Sequence, residues 1–297
     1  MMKTRNFILG TDWWTDCDDA VAIRILARAH KNKEINLLAI CINACMEHSV
    51  TSLDGFLFGE GVQDIPLGID LKASDYTGNP KFQLPLVPYA KRYTCNKDAE
   101  DAVRLYRKAL ACADGKVEII EIGFLNAVKD LLLSEPDDIS EKNGLELVRE
   151  KVSKFWVMAG KWDEQGGKEH NICLTSRSRE AGVVFCDICP VPVTFLGFEV
   201  GDTVISGRKL HLDDNLKKVM ITHGSLNGRS SWDPMTAVLA LIGDEQKAGY
   251  NTVCGKASVT PENGANYFEE IPNGLHKYVV KNKPDSYYED IINELIK

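Results

Sequence analysis

The sequence predicts an α/β fold, with a mostly parallel central sheet and helices on both faces, in a single domain of residues 1–297. Short apolar runs that are typical of strands alternate with runs of helical spacing, as in βαβ units. Polar side chains repeatedly follow the apolar runs, where the strands of such a sheet end. The chain is 44% hydrophobic and 26% charged, an ordinary composition for a soluble globular protein.

The elements are predicted in the following order. The first strand is the apolar run at residues 7–9, and a helix follows from Ala20. Further strands are predicted at residues 35–42, 117–122, 155–159 and 191–196. Further helices are predicted near residues 50–58, 99–113, 126–133, 232–241 and 287–296. Residues 70–97 are rich in Pro, Tyr and Lys and are expected to form a long surface loop of the kind that shapes an entrance.

Charge and cysteine content narrow the class of protein. A net charge of −8 argues against a general nucleic-acid binder or a binder of anionic membranes. No apolar run approaches the ~18 residues of a membrane span, and the N-terminal apolar stretch is too short for a signal peptide. The nine cysteines form no disulfide framework. We therefore expect a cytoplasmic protein without nucleic-acid or membrane partners.

The most informative stretch follows the first strand. Asp12, Asp16, Asp18 and Asp19 fall within eight residues. Crowded carboxylates repel one another unless a cation lies among them, and hard oxygen ligands suit Ca²⁺ or Mg²⁺. The alternative is an N-capped helix with a solvated acidic first turn. The position at the end of a first strand favours a metal site, because ligands collect there in α/β sheets.

Other polar groups follow later predicted strands. In a parallel sheet the strand ends share one edge, so these groups are expected to converge with the acidic stretch. They are Asn43, Glu47 and His48; Asn126; Lys168, Glu169, His170 and Asn171; and Asp233.

At this point the chain resembles the inosine–uridine-type nucleoside hydrolases, whose first strand ends in a DxDPGxDDA motif. The matching residues here are Gly10-Thr11-Asp12 and, after two extra residues, Asp18-Asp19-Ala20. Three further segments resemble the family in order: Ile122–Ala127 (IGFLNA), Lys168–Ile172 (KEHNI, for EFNI) and Ser231–Met235 (SWDPM, for the HDP segment). The resemblance spans nearly the whole chain.

The resemblance implies a set of roles. The metal would be Ca²⁺, bound by Asp12, Asp19, Asp233 and the carbonyl of Leu125, with Asp12 also the general base. Asp18, Glu169 and Asn171 would bind ribose hydroxyls. We also expect a small riboside as the substrate and a homodimer or homotetramer as the assembly.

The chain also departs from the family pattern. The loop from Trp13 to Cys17 replaces Pro-Gly-x, so Asp16 becomes a rival to Asp12 as base or ligand. The family's Asn after the second strand has Asn43 as its nearest counterpart here, with Glu47 and His48 as rivals.

The departures also affect recognition of the leaving group. Trp232 stands where some members have a His that contacts the leaving group, and His170 replaces the Phe of EFNI. We expect both Trp232 and His170 to contact the substrate. His170, His48 and His223 are candidates for protonating a leaving base. Trp13 and Trp14 are expected either to stack on a nucleobase or to pack the loop.

The sequence thus predicts a metal-dependent hydrolase of an N-glycosidic bond in a riboside. Two alternatives stay open at this point. Clustered aspartates and a divalent ion also suit a metal-dependent phosphoesterase, although no basic phosphate clamp accompanies the motifs. The altered loop and Trp232 also suit a non-catalytic protein that binds a nucleoside or ribose.

Overall fold

The computed structural model describes residues 4–14, 16–78 and 80–297. In that part of the chain ten strands form one sheet. From edge to edge they are β11 (Asn266–Glu270), β10 (Tyr250–Val259), β12 (His276–Lys281), β7 (Val193–Leu196), β6 (Val152–Met158), β5 (Val117–Glu121), β1 (Arg5–Thr11), β2 (Ile35–Ile42), β3 (Leu67–Ile69) and β4 (Glu100–Asp101). A separate two-stranded sheet pairs β8 (Ile205–Ser206) with β9 (Arg229–Ser230).

The large sheet is parallel from β4 to β12, and β10 pairs antiparallel with both β12 and β11. This architecture confirms the predicted fold class. The sequence did not reveal the antiparallel edge, since β10 carries Thr, Lys, Ser and Gly among its apolar residues and only four of its ten residues are buried.

The helices lie on both faces of the large sheet. They are α1 (Asp18–Lys31), α2 (Ser49–Glu60), α3 (Ala102–Cys112), α4 (Asn126–Leu132), α5 (Gly144–Lys151), α6 (His170–Cys173), α7 (Ser176–Ile188), α8 (Phe198–Gly201), α9 (Asn215–His223), α10 (Trp232–Ile242) and α11 (Asp285–Leu295).

Two apolar cores flank the sheet, one on each face. Successive side chains of a strand point to opposite faces, so Phe7 and Leu9 enter the core with α1 and α10, whereas Ile8 enters the core with α3 and α4. The segment expected to be a loop, residues 70–97, contains one short 3₁₀ helix, Leu84–Tyr89, and a second one, Asn96–Asp98, begins at its end. None of the described helices is long and apolar enough to cross a membrane.

Strand β1 places the acidic stretch at the centre of the sheet edge. It pairs with β2 on one side and β5 on the other. A Cβ atom at Gly10 would lie 2.1 Å from a carboxylate oxygen of Glu121, so only glycine fits there beside β5. Asp12 follows β1 directly. At this position the connections to the strands on the two sides of β1 run in opposite directions, and ligand sites in such sheets usually lie there.

Candidate functional site

A cavity of about 290 Å³ opens at the carboxyl ends of the parallel strands. Nine residues singled out from the sequence line it: Asp12, Asp16, Asp18, Asp19, Glu169, His170, Asn171, Trp232 and Asp233. Among the described residues, Ile122, Met158, Phe198 and Arg229 also line it. The expected convergence of strand-end polar groups is therefore present.

Three buried carboxylates form a cluster in the cavity. Oxygen atoms of Asp18, Asp19 and Asp233 lie within 4.8 Å of one another. The first two residues open α1 and the third lies in the first turn of α10, so two helix N-termini face the cluster. Positive helix ends favour carboxylates at this position.

Hydrogen bonds hold the carboxylates of this cluster in place. The backbone N–H of Asp233 donates to Oδ2 of Asp18 at 3.1 Å. Oδ1 of Asp19 accepts from the Thr11 hydroxyl and from the backbone N–H of Trp13, the latter at 3.2 Å. Trp13 has a positive φ of 46°, an uncommon conformation for a bulky residue, and such backbone strain tends to occur at functional sites.

Burial and mutual repulsion raise the pKa of each of these carboxyls. The pKa values of Asp18, Asp19 and Asp233 lie well above the ordinary range, with desolvation as the largest cause and neighbouring aspartates as the next. A divalent cation would remove both penalties, because it replaces lost hydration and offsets the negative charge. The all-oxygen donor set suits Ca²⁺ or Mg²⁺.

Asp12 lies beside this cluster at the end of β1. Its Oδ1 accepts the backbone N–H of Trp14 at 3.1 Å, and no hydrogen bond from a described residue reaches Oδ2. Desolvation, followed by repulsion from Asp18 and other acids, raises the pKa of Asp12 to about 8. Asp12 can therefore hold a proton near neutral pH.

Asp16, the rival of Asp12, is a partly exposed lining residue and is already paired. Its carboxylate accepts three hydrogen bonds from the Arg229 guanidinium, at 2.5–3.0 Å. The imidazole Nε2 of His223 lies 3.9 Å from Asp16 Oδ1. Arg229 therefore occupies both carboxylate oxygens of Asp16.

Glu169 and Asn171 line the cavity from the segment that follows β6. Glu169 caps the short helix α6: its Oε1 accepts the backbone N–H of Asn171 at 2.7 Å and its Oε2 accepts that of Gly160 at 3.0 Å. Burial raises the pKa of Glu169 to about 7. The amide Nδ2 of Asn171 donates to the Met158 carbonyl at 3.0 Å. Both side chains are fixed before any ligand arrives.

The aromatic residues near the site divide into two groups. Trp13 is fully buried, packs against Phe56 and Phe82, and donates its indole N–H to Ser52. Trp14 is also buried and packs against Tyr76, Phe124 and His170. Neither tryptophan lines the cavity. Of the two alternatives, both side chains therefore pack the loop and do not stack on a nucleobase.

Trp232 does line the cavity, together with Phe198. The two rings are stacked, with their centroids 5.3 Å apart, and the Trp232 indole N–H donates to the Phe198 carbonyl at 2.7 Å. His170 lies at the cavity wall with a pKa lowered by desolvation. His48 lies outside the lining, 3.8 Å from Glu47.

Two residues expected at the site are not part of the cavity lining. Asn43 is fully buried, and its amide donates to Glu121 at 2.7 Å and accepts from the backbone N–H of Phe124 at 3.0 Å. The Leu125 carbonyl accepts the backbone N–H of Lys129 at 2.8 Å, the first hydrogen bond of α4. Asn43 thus joins β2 to β5 beneath the cavity, and Leu125 begins a helix beside it.

Sequence reasoning missed Arg229 and Phe198 as cavity residues. Arg229 occurs in a short Gly-Arg-Ser-Ser segment without periodicity, and Phe198 follows a strand whose end carries no charged motif. The only signal for Arg229 was the unpaired extra acid Asp16, which needs a cationic partner if it is partly buried.

The structure has the same fold as two solved nucleoside hydrolases. It superimposes on the inosine-uridine preferring nucleoside hydrolase from Bacillus anthracis with a TM-score of 0.70, at 14% identity and 99% coverage of both chains. It superimposes on the purine-preferring ribonucleoside hydrolase from Gardnerella vaginalis with a TM-score of 0.71, at 16% identity and 99% coverage of both chains. The chain has the nucleoside hydrolase fold.

The nucleoside hydrolase fold also occurs in an effector among the structures that resemble this chain. The type III effector XopQ, solved in complex with adenosine diphosphate ribose, matches with a TM-score of 0.65 at 12% identity, over 100% of this chain and 94% of the effector.

No family model matches the sequence, and no curated protein matches it. The resemblance found in the sequence is thus confirmed at the level of fold.

Proposed function

We propose that the protein is a metal-dependent hydrolase that cleaves the N-glycosidic bond of a ribonucleoside or related riboside. The observation that carries this proposal is the cavity itself. It brings the buried carboxylates of Asp18, Asp19 and Asp233 within one chamber that also holds Glu169 and Asn171. The nucleoside hydrolases that share the fold supply the reaction class.

The residues present fit a divalent cation, which we propose is Ca²⁺. Asp19, Asp233 and Asp12 would hold it, with the Leu125 carbonyl as the backbone ligand that the family resemblance suggests. Asp18 is an additional oxygen donor, because it lies in the same cluster. When bound, the cation would make a water molecule more acidic.

Asp12 is the proposed general base. Its Oδ2 would take a proton from the attacking water, while Oδ1 stays bonded to Trp14. Asp16 is less suited to this task because Arg229 occupies its carboxylate. The proton then leaves Asp12 for solvent through the cavity mouth.

Asp18, Glu169 and Asn171 are proposed to bind the sugar. The Asn171 amide has its nitrogen committed to Met158, which leaves the amide oxygen as an acceptor for a hydroxyl. As the glycosidic bond lengthens, the sugar gains oxocarbenium character, and the surrounding carboxylates stabilise that positive charge. His170 and Trp232 are proposed to contact the leaving group.

A second function is favoured by one specific observation. XopQ shares the fold and was solved with adenosine diphosphate ribose, so a protein with this fold can hold a ribose-containing ligand of another class. The second proposed function is therefore the binding of such a ligand without turnover. A phosphoesterase is less well supported, because the one guanidinium in the described lining is bound to Asp16.

The test is a panel of ribonucleosides and related ribosides, incubated with Ca²⁺ and assayed for free ribose. Asp19→Asn should abolish ribose release. Asp213→Asn is the matched control, because Asp213 is a highly exposed aspartate remote from the cavity lining. Binding of adenosine diphosphate ribose by a protein that releases ribose from no substrate would favour the second function.

A further inference from the structure

We infer that the leaving group carries a formal positive charge on its glycosidic nitrogen, as in a pyridinium riboside or an N-alkylated purine riboside. This inference rests on the proposed function and specifies its substrate class. Three features of the cavity support it: its charge, its aromatic wall and, among the described residues, the lack of a proton donor beside the leaving group.

The cavity wall is strongly acidic. Six carboxyl groups line it, on Asp12, Asp16, Asp18, Asp19, Glu169 and Asp233, against the single guanidinium of Arg229 among the described lining residues. Arg229 is paired with Asp16, so its charge is compensated locally. Even with a divalent ion in place, the ionised wall is net negative. Such a cleft concentrates cations and repels anions.

The aromatic wall can also receive a cation. The Arg229 guanidinium carbon lies 5.3 Å from the centroid of the Trp232 ring, so that ring already contacts a positive group. Phe198 extends the same surface by stacking on Trp232. Indole and phenyl rings bind cationic heterocycles and quaternary nitrogens through their negative faces.

None of the described side chains that are proposed to contact the leaving group is suited to protonate a neutral base. Trp232 occupies the position of the family's leaving-group His, and its N–H is committed to the Phe198 carbonyl. Of the imidazoles, His170 lines the cavity, and its desolvation favours the neutral ring. Glu169 has each carboxylate oxygen bonded to a backbone N–H, so it is held as an acceptor.

A cationic leaving group removes the need for an acid. When the glycosidic bond breaks, its electron pair stays on the ring nitrogen, which becomes neutral. Water adds to the anomeric carbon and gives its proton to Asp12, which releases it to solvent. One riboside cation and one water yield ribose, a neutral heterocycle and one proton, so charge and atoms balance.

The first test compares nicotinamide riboside, which is cationic, with inosine and uridine, which are neutral. We expect kcat/KM for nicotinamide riboside to exceed that for inosine by at least about 100-fold. This factor is the lower end of the rate enhancement that a general acid supplies. A kcat/KM for inosine or uridine equal to or above that for nicotinamide riboside would overturn the inference and leave the proposed function intact.

The second test restores a proton donor. Trp232→His should raise the ratio of inosine to nicotinamide riboside kcat/KM by at least about tenfold, because only the neutral base gains from protonation. Trp232→Phe is the matched control: it removes the indole without adding a donor and should not raise that ratio. An equal rise in both variants would contradict the inference.

The third test measures binding without turnover, with Ca²⁺ and with a chelator, by quenching of tryptophan fluorescence. The probes are 1-methylnicotinamide, a cation, and N-methylnicotinamide, its neutral counterpart with the same heavy atoms. We expect the cation to bind at least about fivefold more tightly, with Arg229→Gln strengthening and Asp16→Asn weakening its binding. Equal binding of the two probes would overturn the inference, whereas failure to release ribose from any riboside would overturn the proposed function and the inference with it.

Discussion

The backbone N–H of Asp233 donates a hydrogen bond to Oδ2 of Asp18 across 3.1 Å, although 215 positions separate the two residues in the chain. This bond ties the first turn of α10 to the first turn of α1, and the two helices pack together along one face of the sheet. The geometry of the acidic cluster is therefore set by the fold. A ligand that binds the cluster should stabilise the packing of both helices.

Metal binding should show in the stability of the protein. We expect Ca²⁺ to raise the Tm by at least about 3 °C relative to protein in chelator, because the ion binds only the folded cluster. Asp19→Asn and Asp233→Asn should abolish this shift and should raise the Tm in chelator, since each removes repulsion from a buried carboxylate. Differential scanning fluorimetry measures both effects.

The control for this prediction is Asp213→Asn, which should keep the full calcium shift because Asp213 is exposed. A calcium shift that survives in both cluster variants would place the ion elsewhere.

Asp12 and Asp16 should differ in their effect on turnover. Asp12→Asn is expected to lower kcat by more than the ~10²–10⁴-fold of an acid–base group, because the change also removes a proposed metal ligand. Asp16→Asn should lower kcat by about tenfold or less, since Asp16 is held by Arg229. Steady-state kinetics on the riboside with the highest activity measures both effects. If Asp16→Asn has lost its activity while Asp12→Asn is active, Asp16 and not Asp12 is the general base.

Asn171 should contribute to sugar binding. Asn171→Ala is expected to lower kcat/KM by about 10- to 100-fold, the loss of one to two hydrogen bonds made to a buried polar group. Asn251→Ala, on an exposed position of β10, is the matched control and should leave kcat/KM within about twofold. If both variants match the wild type on a confirmed substrate, Asn171 does not contact the sugar.

Stability should depend on pH through Glu121. Burial raises the pKa of this carboxyl from 4.5 to about 8 in the folded protein. Between these values the folded state binds more protons than the unfolded state, so the free energy of unfolding falls as pH rises, by up to about 1.4 kcal/mol per pH unit. Glu121→Gln mimics the protonated carboxyl and should give a shallower fall between pH 5 and 8.

Urea unfolding at a series of pH values, in chelator, measures this slope. Parallel slopes for wild type and Glu121→Gln would show that Glu121 is already ionised in the folded protein.

Much of the fold followed from the sequence because its central strands are continuous apolar runs with clear ends. Ile35–Ile42 was placed to the residue, and Val117–Glu121 to within one residue. The β10 to β12 region was missed because its strands are half-exposed and mix polar with apolar residues. Pattern alone does not separate such strands from loops.

The site was predictable where residues follow strands and form motifs. Asp12, Asp18 and Asp19 follow from the rule that parallel strand ends share an edge. Asp233 comes after β9 of the small sheet, so its role was indicated by the family resemblance of the SWDPM segment. Arg229 and Phe198 were not predictable, because each reaches the cavity from a very short element, β9 or α8, whose position depends on tertiary packing. The environments of Asn43 and Trp13 could not be predicted either. Asn43 bonds to Glu121 and Trp13 bonds to Ser52, and each bond joins elements that are distant in sequence.

Calcium as the ion, a homodimer or homotetramer as the assembly and a cytoplasmic location stay predictions of the sequence. The ion is the one of these on which the proposed chemistry depends. Replacing Ca²⁺ by Mg²⁺ in the assays above addresses it, because the two cations differ in preferred coordination number and ligand distance.

The most direct test of the central claim is the release of free ribose from a panel of ribosides by wild type and Asp19→Asn, each with Ca²⁺ and with chelator. We predict ribose release by the wild type with Ca²⁺ for at least one riboside, and loss of at least about 100-fold of that activity in chelator and in Asp19→Asn. Ribose release that is unchanged in chelator and in Asp19→Asn would contradict the account, as would the absence of ribose release from every riboside in the panel.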